Sequence, residues 1–410
     1  MKIRSITYFC NPHYPLDENV LRAAGDFLAQ AQAAYQAAGY EVQTTRLATV
    51  PFPKLLGEKQ IGDLLKLAEQ FTKAIQEVGV AYASLGPALP ELPRSYELIP
   101  EAIAASENIF FGGVMADSRL SDSKIYLAAI KACADVIIAS APIDPNGFAN
   151  LRFAALANVS AGAPFFPAAY HEDDEPMFAI ATEAADLAVD AFGERRTLDD
   201  GRRALISEIE KHGQAIAKIA ATQLWNVHFG GIDFSLAPFP DDAHSVGNAI
   251  ERMGVPRIGL QGSLAAAAIL TDAIDRADFP HAGFSGFFQP VLEDSVIAER
   301  AAEGNLTVKD LLLYSTVCGT GLDTVPLPGD TTAEQLVPLL LDLSALALRL
   351  DKPLTARLMP VPGKKAGEAT TFDFGFFANS KVMKLESEGL SGAFSGNDVI
   401  QLSSRLQASR

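Results

Sequence analysis

The chain has 410 residues, 49% of them hydrophobic, and a formal net charge of −17. Its length suits one large barrel or two domains, and its apolar content allows a sizeable core. Because nucleic acids and anionic membrane surfaces attract basic faces, the negative charge argues against both as partners. A small-molecule ligand is therefore the partner that we expect.

Three cysteines, Cys10, Cys133 and Cys318, lie far apart and lack the spacing of a zinc site or a disulfide framework. The first residues lack the apolar run of a signal peptide. The longest apolar helical segment, residues 337–350, contains charges and is too short to cross a bilayer. These features predict a cytoplasmic protein.

Short apolar runs alternate with helical segments along the chain. In chain order, the predicted strands are residues 3–9, 42–48, 80–85, 109–114, 136–139, 164–170, 232–236, 258–260, 322–325 and 354–359, with a closing hairpin of 372–377 and 380–385. The predicted helices are residues 19–38, 60–77, 177–191, 199–224, 244–253, 263–277, 294–302, 307–314 and 333–348. Repeated strand–helix pairs indicate an α/β fold with a parallel sheet, either doubly wound or closed into a barrel.

The strand–helix alternation occurs twice along the chain. We therefore expect a single large α/β domain over residues 1–410, with halves at about 1–195 and 228–385. A helical segment of mixed charge, residues 196–227, would connect the two halves. In such folds the loops after the carboxyl ends of the strands carry ligands, so polar loops at those places are the candidate sites.

Two candidate loops lie in the first half. Asp117 follows a predicted strand and two glycines that would let the backbone approach a ligand, which makes it a candidate for substrate binding. Helix capping is the explanation of Asp117 that we favour over ligand binding. His171 ends an apolar run and precedes four acidic residues, which could raise the pKa of a general base or help to hold a divalent metal. The acidic run would also suit a helix N-terminus.

Two further loops lie in the second half. Asp233 interrupts an apolar strand pattern, and a buried carboxylate costs free energy unless it is paired or coordinated. Asp233 is therefore a candidate catalytic residue and metal ligand, with Ser235 as a substrate contact. The next loop offers Ser285 and Gln289 as substrate contacts and Glu293 as a metal ligand. Capping of the following helix is the alternative for Glu293.

The segment 318–330 is the most informative stretch of the sequence. Cys318 follows a helix, Gly321 allows close approach of a ligand, and Asp323 begins a strand flanked by apolar residues. Free cysteine is usually buried and inert, and a reactive thiol needs a cation or a helix N-terminus to lower its pKa. Asp323 is therefore the stronger catalytic candidate, and Cys318 is a secondary one.

Several segments resemble the domain-of-unknown-function 711 family in the same order along the chain: residues 165–171, 232–238, 284–294, 318–331 and 374–384. That family is similar in fold to pyruvate formate-lyase-like glycyl radical enzymes. The resemblance thus implies a ten-stranded α/β barrel of two half-barrels and places Cys318 where those enzymes bear a loop cysteine. The chain lacks their C-terminal glycyl radical motif, and fold alone does not carry chemistry. The resemblance therefore implies no radical reaction.

The candidate residues favour an uncharacterised enzyme acting on a small polar metabolite. In the metal-assisted hydrolase or lyase version, Asp233, Glu293 and Asp323 would hold a divalent metal, and His171 would act as a ligand or acid–base group. A cysteine-dependent enzyme that uses Cys318 is one alternative, and a non-catalytic barrel that binds or senses a metabolite is another. The many apolar helix faces also suggest a homodimer.

Overall fold

The computed structural model describes residues 1–118, 123–193 and 197–404. Within them, the strands are β1 (Lys2–Cys10), β2 (Val42–Thr49), β3 (Tyr82–Ala88), β4 (Ile109–Asp117), β5 (Lys124–Tyr126), β6 (Phe153–Ala157), β7 (Met177–Glu183), β8 (His228–Asp233), β9 (Gly321–Pro328), β10 (Leu354–Val361) and β11 (Val399–Gln401). The helices are α1 (Glu18–Ala37), α2 (Phe52–Gln60), α3 (Leu64–Glu77), α4 (Arg94–Glu97), α5 (Ile99–Ala104), α6 (Leu127–Ser140), α7 (Ala185–Gly193), α8 (Leu198–Gln223), α9 (Val246–Arg252), α10 (Ser263–Arg276), α11 (Ser295–Glu303), α12 (Val308–Tyr314) and α13 (Ala333–Leu350).

One large mixed sheet organises the chain, with strand order β8-β7-β1-β2-β3-β4-β6-β10-β9 and with β5 and β11 attached beside β4. Strands β1, β2, β3, β4 and β6 run parallel to one another. Strands β7 and β8 are parallel, as are β9 and β10. These three sets of parallel strands meet at two antiparallel pairs, β1–β7 and β6–β10.

The segment 281–290 lies between β8 and β9, the two edge strands of this order. Ile232 and Leu236 form parallel bridges to His281 and Phe287 on one side. Asp323 of β9 forms a parallel bridge to Pro290 on the other side. Each edge strand is therefore bridged to the same short segment.

Helices pack on one face of the sheet. Their apolar residues recur every three or four positions, so each helix has an apolar side that it buries against the sheet. In α1, for example, Leu21, Leu28 and Tyr35 are buried in the main core. Successive residues of a strand point to opposite faces, so Leu47 packs in this core while Ala48 packs in a smaller cluster on the other face. A sheet with apolar contacts on both faces is typical of parallel α/β proteins.

The predicted α/β class is confirmed, but the large central sheet is mixed rather than parallel, and several element predictions are wrong. Residues 136–139 belong to helix α6, because a short apolar run does not distinguish a strand from a buried helix. Residues 164–170 form no strand, since Pro164 and Pro167 lack the N–H groups that a ladder needs.

Further along the chain, the predicted helix 177–191 is strand β7 followed by helix α7. Residues 258–260 form no strand, and the predicted hairpin of 372–385 reduces to a single bridge between Ala369 and Lys381. Among the described residues, no helix has both the length and the apolar character that a bilayer crossing requires.

Candidate functional site

A network of charged side chains joins four strands and one loop of the sheet. Arg357 of β10 donates from Nε to Asp323 Oδ1 of β9 at 2.5 Å and from a terminal nitrogen to Glu293 Oε1 at 2.7 Å. Glu293, in the loop before α11, also accepts from Arg4 of β1 at 2.5 Å. Arg4 in turn lies 3.2 Å from Glu183 Oε2 of β7. The network thus links residues that are far apart in the sequence.

The network projects from the face of the sheet opposite the main helical core. Leu322, next to Asp323, packs in that core, and so do Ala356 and Leu358 on either side of Arg357. Because neighbouring residues of a strand point to opposite faces, Asp323 and Arg357 face away from the helices.

The central members of the network are almost inaccessible to solvent, with exposed fractions of 1% for Asp323, 5% for Glu293 and 6% for Arg357. Burial raises the pKa of Asp323. The positive charge of Arg357 opposes this rise, and the negative charge of Glu293 adds to it. For Glu293, burial acts in the same direction, but Arg357 and Arg4 together outweigh it and hold the pKa below its usual value. One guanidinium therefore bridges two carboxylates whose pKa values are displaced in opposite directions.

Arg46 of β2 lies beside this network. Its Nε donates to Thr44 Oγ1 at 2.9 Å, and its guanidinium carbon lies 5.1 Å from the centroid of the Phe166 ring. Burial, together with the nearby Arg4 and Arg357, lowers the pKa of Arg46 to about 9. Among the described residues, no carboxylate lies within ion-pair distance of Arg46.

Asp233, which was predicted to be catalytic, anchors a turn. Its carboxylate accepts from the backbone N–H groups of Phe284 and Ser285 at 3.0 and 2.9 Å and from the Ser235 hydroxyl. A Cβ at Gly283 would lie 2.4 Å from Asp233 Oδ2, so the turn approaches the carboxylate closely. Burial raises the pKa of Asp233, and the three hydrogen bonds oppose that rise. These contacts position Ser285.

Cys318 is also enclosed. Its side chain is 1% exposed, and its sulfur accepts from the Gly321 N–H at 3.2 Å. The Gln289 amide donates to the carbonyl oxygens of Gly321 and Leu311 at 3.1 and 2.8 Å, which fixes the same loop. Burial raises the pKa of the Cys318 thiol, although the nearby Lys352 opposes the rise. This environment favours the neutral thiol.

A cavity of about 360 Å³ adjoins this loop, and Ser285 and Cys318 both line it. Lys352 lines it as well and donates a hydrogen bond to the Cys318 carbonyl oxygen. Six of the predicted residues thus lie around the two loops that contain Ser285 and Cys318: Asp233, Ser235, Ser285, Gln289, Cys318 and Gly321. Glu293 and Asp323 meet separately, at Arg357.

His171 and Asp117 contact neither group. His171 is 2% exposed, and its ring Nε2 lies 3.0 Å from the Glu175 carbonyl oxygen. Its backbone N–H donates to the Thr49 carbonyl oxygen. Burial lowers the pKa of His171 and outweighs the neighbouring carboxylates, which were expected to raise it. Asp117 is the last residue of β4, and its backbone lies opposite that of Lys124 in the antiparallel β4–β5 pair. The neighbouring Arg119 lies outside the described residues.

The predicted metal-ligand set is divided between different partners. Asp233 is bonded to backbone amides, whereas Glu293 and Asp323 are bonded to Arg357. Across residues 1–118, 123–193 and 197–404, no three His, Cys, Asp or Glu side chains are grouped so that they could hold a metal ion.

Sequence reasoning missed Glu183 and the two arginines of the network, Arg4 and Arg357, together with Arg46 beside it. Arg357 interrupts an apolar strand, which is the same signal that pointed to Asp233, whereas Arg4 and Arg46 lie in strands that contain several hydroxyl residues.

Comparisons with known proteins agree with the resemblance seen in the sequence. The model of a family described as uncharacterised ACR (DUF711) matches residues 1–380. A UPF0210 protein of Oleidesulfovibrio alaskensis is 30% identical over 96% of this chain and 89% of its own length. One from Methanopyrus kandleri is 31% identical over 86% of this chain and 81% of its own length.

Two Pyrobaculum relatives match over shorter stretches. The UPF0210 protein of Pyrobaculum aerophilum is 37% identical over 60% of this chain, and that of Pyrobaculum arsenaticum is 35% identical over 66% of it. The chain spans 56% and 61% of the length of these two relatives. The family resemblance is confirmed, and the names of these four relatives state no activity.

Proposed function

The chain belongs to the uncharacterised ACR (DUF711) family, and on the geometry of its charged network we propose that it is an enzyme that transfers protons on a small polar molecule at Asp323 and Glu293. The observation that carries the proposal is the Arg357 guanidinium between these two buried carboxylates. Pairs of titratable groups whose environments push their pKa values apart are typical of general acid–base sites.

The roles follow from the contacts of the two carboxylates. Asp323, with its raised pKa, holds a proton at higher pH than an ordinary aspartate. Arg357 bonds to its Oδ1 and leaves Oδ2 as the atom for the proton. Glu293 stays ionised because two arginines contact it. The side chain of Arg4 is 23% exposed, which gives a solute a route to the network.

We further propose that the sheet closes into a ten-stranded barrel, as the family resemblance implies. The bridges from segment 281–290 to β8 and to β9 support closure. The two antiparallel pairs, β1–β7 and β6–β10, support a division of the sheet into two half-barrels, because β7 runs parallel to β8 and antiparallel to β1. In that arrangement the charged network lies inside the barrel.

The geometry favours acid–base chemistry over a metal-assisted hydrolase or lyase and over a cysteine-dependent enzyme. A metal held by Glu293 and Asp323 would compete with the positive charge of Arg357, which contacts both carboxylates. A nucleophilic Cys318 would need a lowered thiol pKa, and burial raises it.

The experiment is a metabolite-depletion assay followed by mass spectrometry. The full chain is incubated with a mixture of cellular metabolites, alongside Asp323→Asn and Glu293→Gln. Asp330→Asn, at an exposed position beyond β9, is the matched control. We expect the chain and the control to deplete one compound and both network variants to lose that turnover.

Two outcomes would refute the proposal. Turnover that survives Asp323→Asn would place the chemistry elsewhere. A compound that the chain retains but never converts would instead identify a non-catalytic binding protein.

A further inference from the structure

Arg46 stands apart from the other two arginines near the charged network. Arg357 contacts Asp323 and Glu293, and Arg4 contacts Glu183 and Glu293. In the part of the chain that the structure describes, Arg46 has no carboxylate partner. Because the Arg46 side chain is partly exposed, an anion from solvent can reach its guanidinium, whereas the guanidinium of Arg357 is already engaged by two carboxylates.

The donors that remain on Arg46 fit a planar anion. Its Nε is bonded to Thr44, and one face of its guanidinium lies over Phe166. The two terminal nitrogens have no hydrogen-bond partner among the described residues. They form the end of a fixed fork that matches the two oxygens of a carboxylate.

Aromatic rings lie beside the guanidinium. Phe166 packs edge-on against Phe110 with ring centroids 5.4 Å apart, and Phe110 packs against Tyr82 at 5.6 Å. Phe110 and Tyr82 are both partly exposed on the face opposite the helices. A small-molecule site commonly combines such apolar walls with one or two polar anchors.

We infer that Arg46 binds the carboxylate of the substrate, whose carbon skeleton lies against Phe110 and Tyr82. This inference rests on the proposed function, because it assigns the substrate class of the same site. A phosphate presents similar oxygens but lacks the flat apolar body that the rings would cover, so the same experiment must separate the two.

The test is isothermal titration of the full chain with three probes: benzoate, its neutral analogue benzamide, and inorganic phosphate. The variants are Arg46→Met and Arg46→Gln, both checked for cooperative unfolding. Arg22→Met, at an exposed site on α1, is the control. We expect benzoate to bind the chain and the control, and to bind both Arg46 variants about tenfold more weakly or worse, because charge-assisted hydrogen bonds are lost.

Benzamide should bind weakly to every form, and phosphate should bind more weakly than benzoate. Unchanged benzoate affinity in both Arg46 variants would overturn the inference. Benzamide binding as tightly as benzoate, phosphate binding more tightly, or no benzoate binding at all would overturn it as well.

Asp323→Asn separates this inference from the proposed function. We expect that variant to bind benzoate normally while it loses turnover. If turnover survives Asp323→Asn but the Arg46 variants lose benzoate, the proposed acid–base site fails and the anion site stands.

Discussion

Replacing Arg357 with Met tests the charged network most directly. The substitution keeps much of the side-chain volume but removes the one cation that Asp323 and Glu293 share. Removing one partner of a buried ion pair costs about 3–5 kcal/mol, because the other charge stays buried without compensation. Here Glu293 keeps its contact with Arg4, so we expect a loss of about 3–5 kcal/mol rather than twice that amount.

The assay is urea unfolding followed by circular dichroism at pH 7. The matched control is Arg257→Met, which removes an exposed pair with Glu303 at 3.7 Å and should change the free energy of unfolding by less than about 1 kcal/mol. The double variant Arg357→Met with Asp323→Asn should recover part of the loss, since one uncompensated carboxylate is then gone. A loss below about 1 kcal/mol for Arg357→Met would refute the reasoning.

The pH dependence of the same variant has a definite sign. In the unaltered chain the pKa of Glu293 is lowered, so its stabilising contribution is present above the unfolded pKa and is lost on acidification. Without Arg357, the pKa of Glu293 should rise from its lowered value and the pKa of Asp323 should rise further, and the resulting penalty is relieved as the pH falls through the folded pKa values. The stability gap between the two proteins should therefore narrow from pH 7 to pH 5, and a gap that widens would contradict this account.

Three further predictions concern single residues. Arg46→Met should change the free energy of unfolding by less than about 1 kcal/mol in urea titrations, because the partly exposed guanidinium has no ion pair to lose, and a larger loss would contradict that. Cys318 should resist iodoacetamide in the native chain at pH 7.4 and react only after unfolding, as measured by mass spectrometry; rapid native labelling would support a catalytic thiol instead. His171 has a lowered pKa in the folded chain, so its contribution to stability should be lost as the pH falls through about 6.5, where the unfolded histidine takes up a proton. His171→Gln should flatten that part of the pH–stability curve, whereas His228→Gln, at an exposed position, should leave it unchanged.

The sequence was sufficient for the fold class and for individual carboxylates. Asp233 and Asp323 could be found because a carboxylate inside an apolar strand needs a partner, and each has one. The identity of the partner could not be predicted. Arg4 lies 289 residues from Glu293, and only the folded sheet brings the two side chains together.

Local patterns failed where tertiary packing decides the outcome. Val136 belongs to an apolar run that reads as a strand, but the helix containing it packs against the sheet and α13. His171 was expected to respond to the acidic residues that follow it. Because its ring is buried, desolvation dominates instead, and burial cannot be read from a list of neighbours.

The short segment between β8 and β9 has a consequence for the nascent chain. Until residues 281–290 dock, both strands present unpaired backbone groups, and exposed strand edges are templates for aggregation. The carboxylate of Asp233 captures the amides of Phe284 and Ser285 next to one of these edges. Asp233 thereby favours docking of the segment that covers both edges. Its replacement by Ala should increase the fraction of newly made chains that precipitate before they reach the native state.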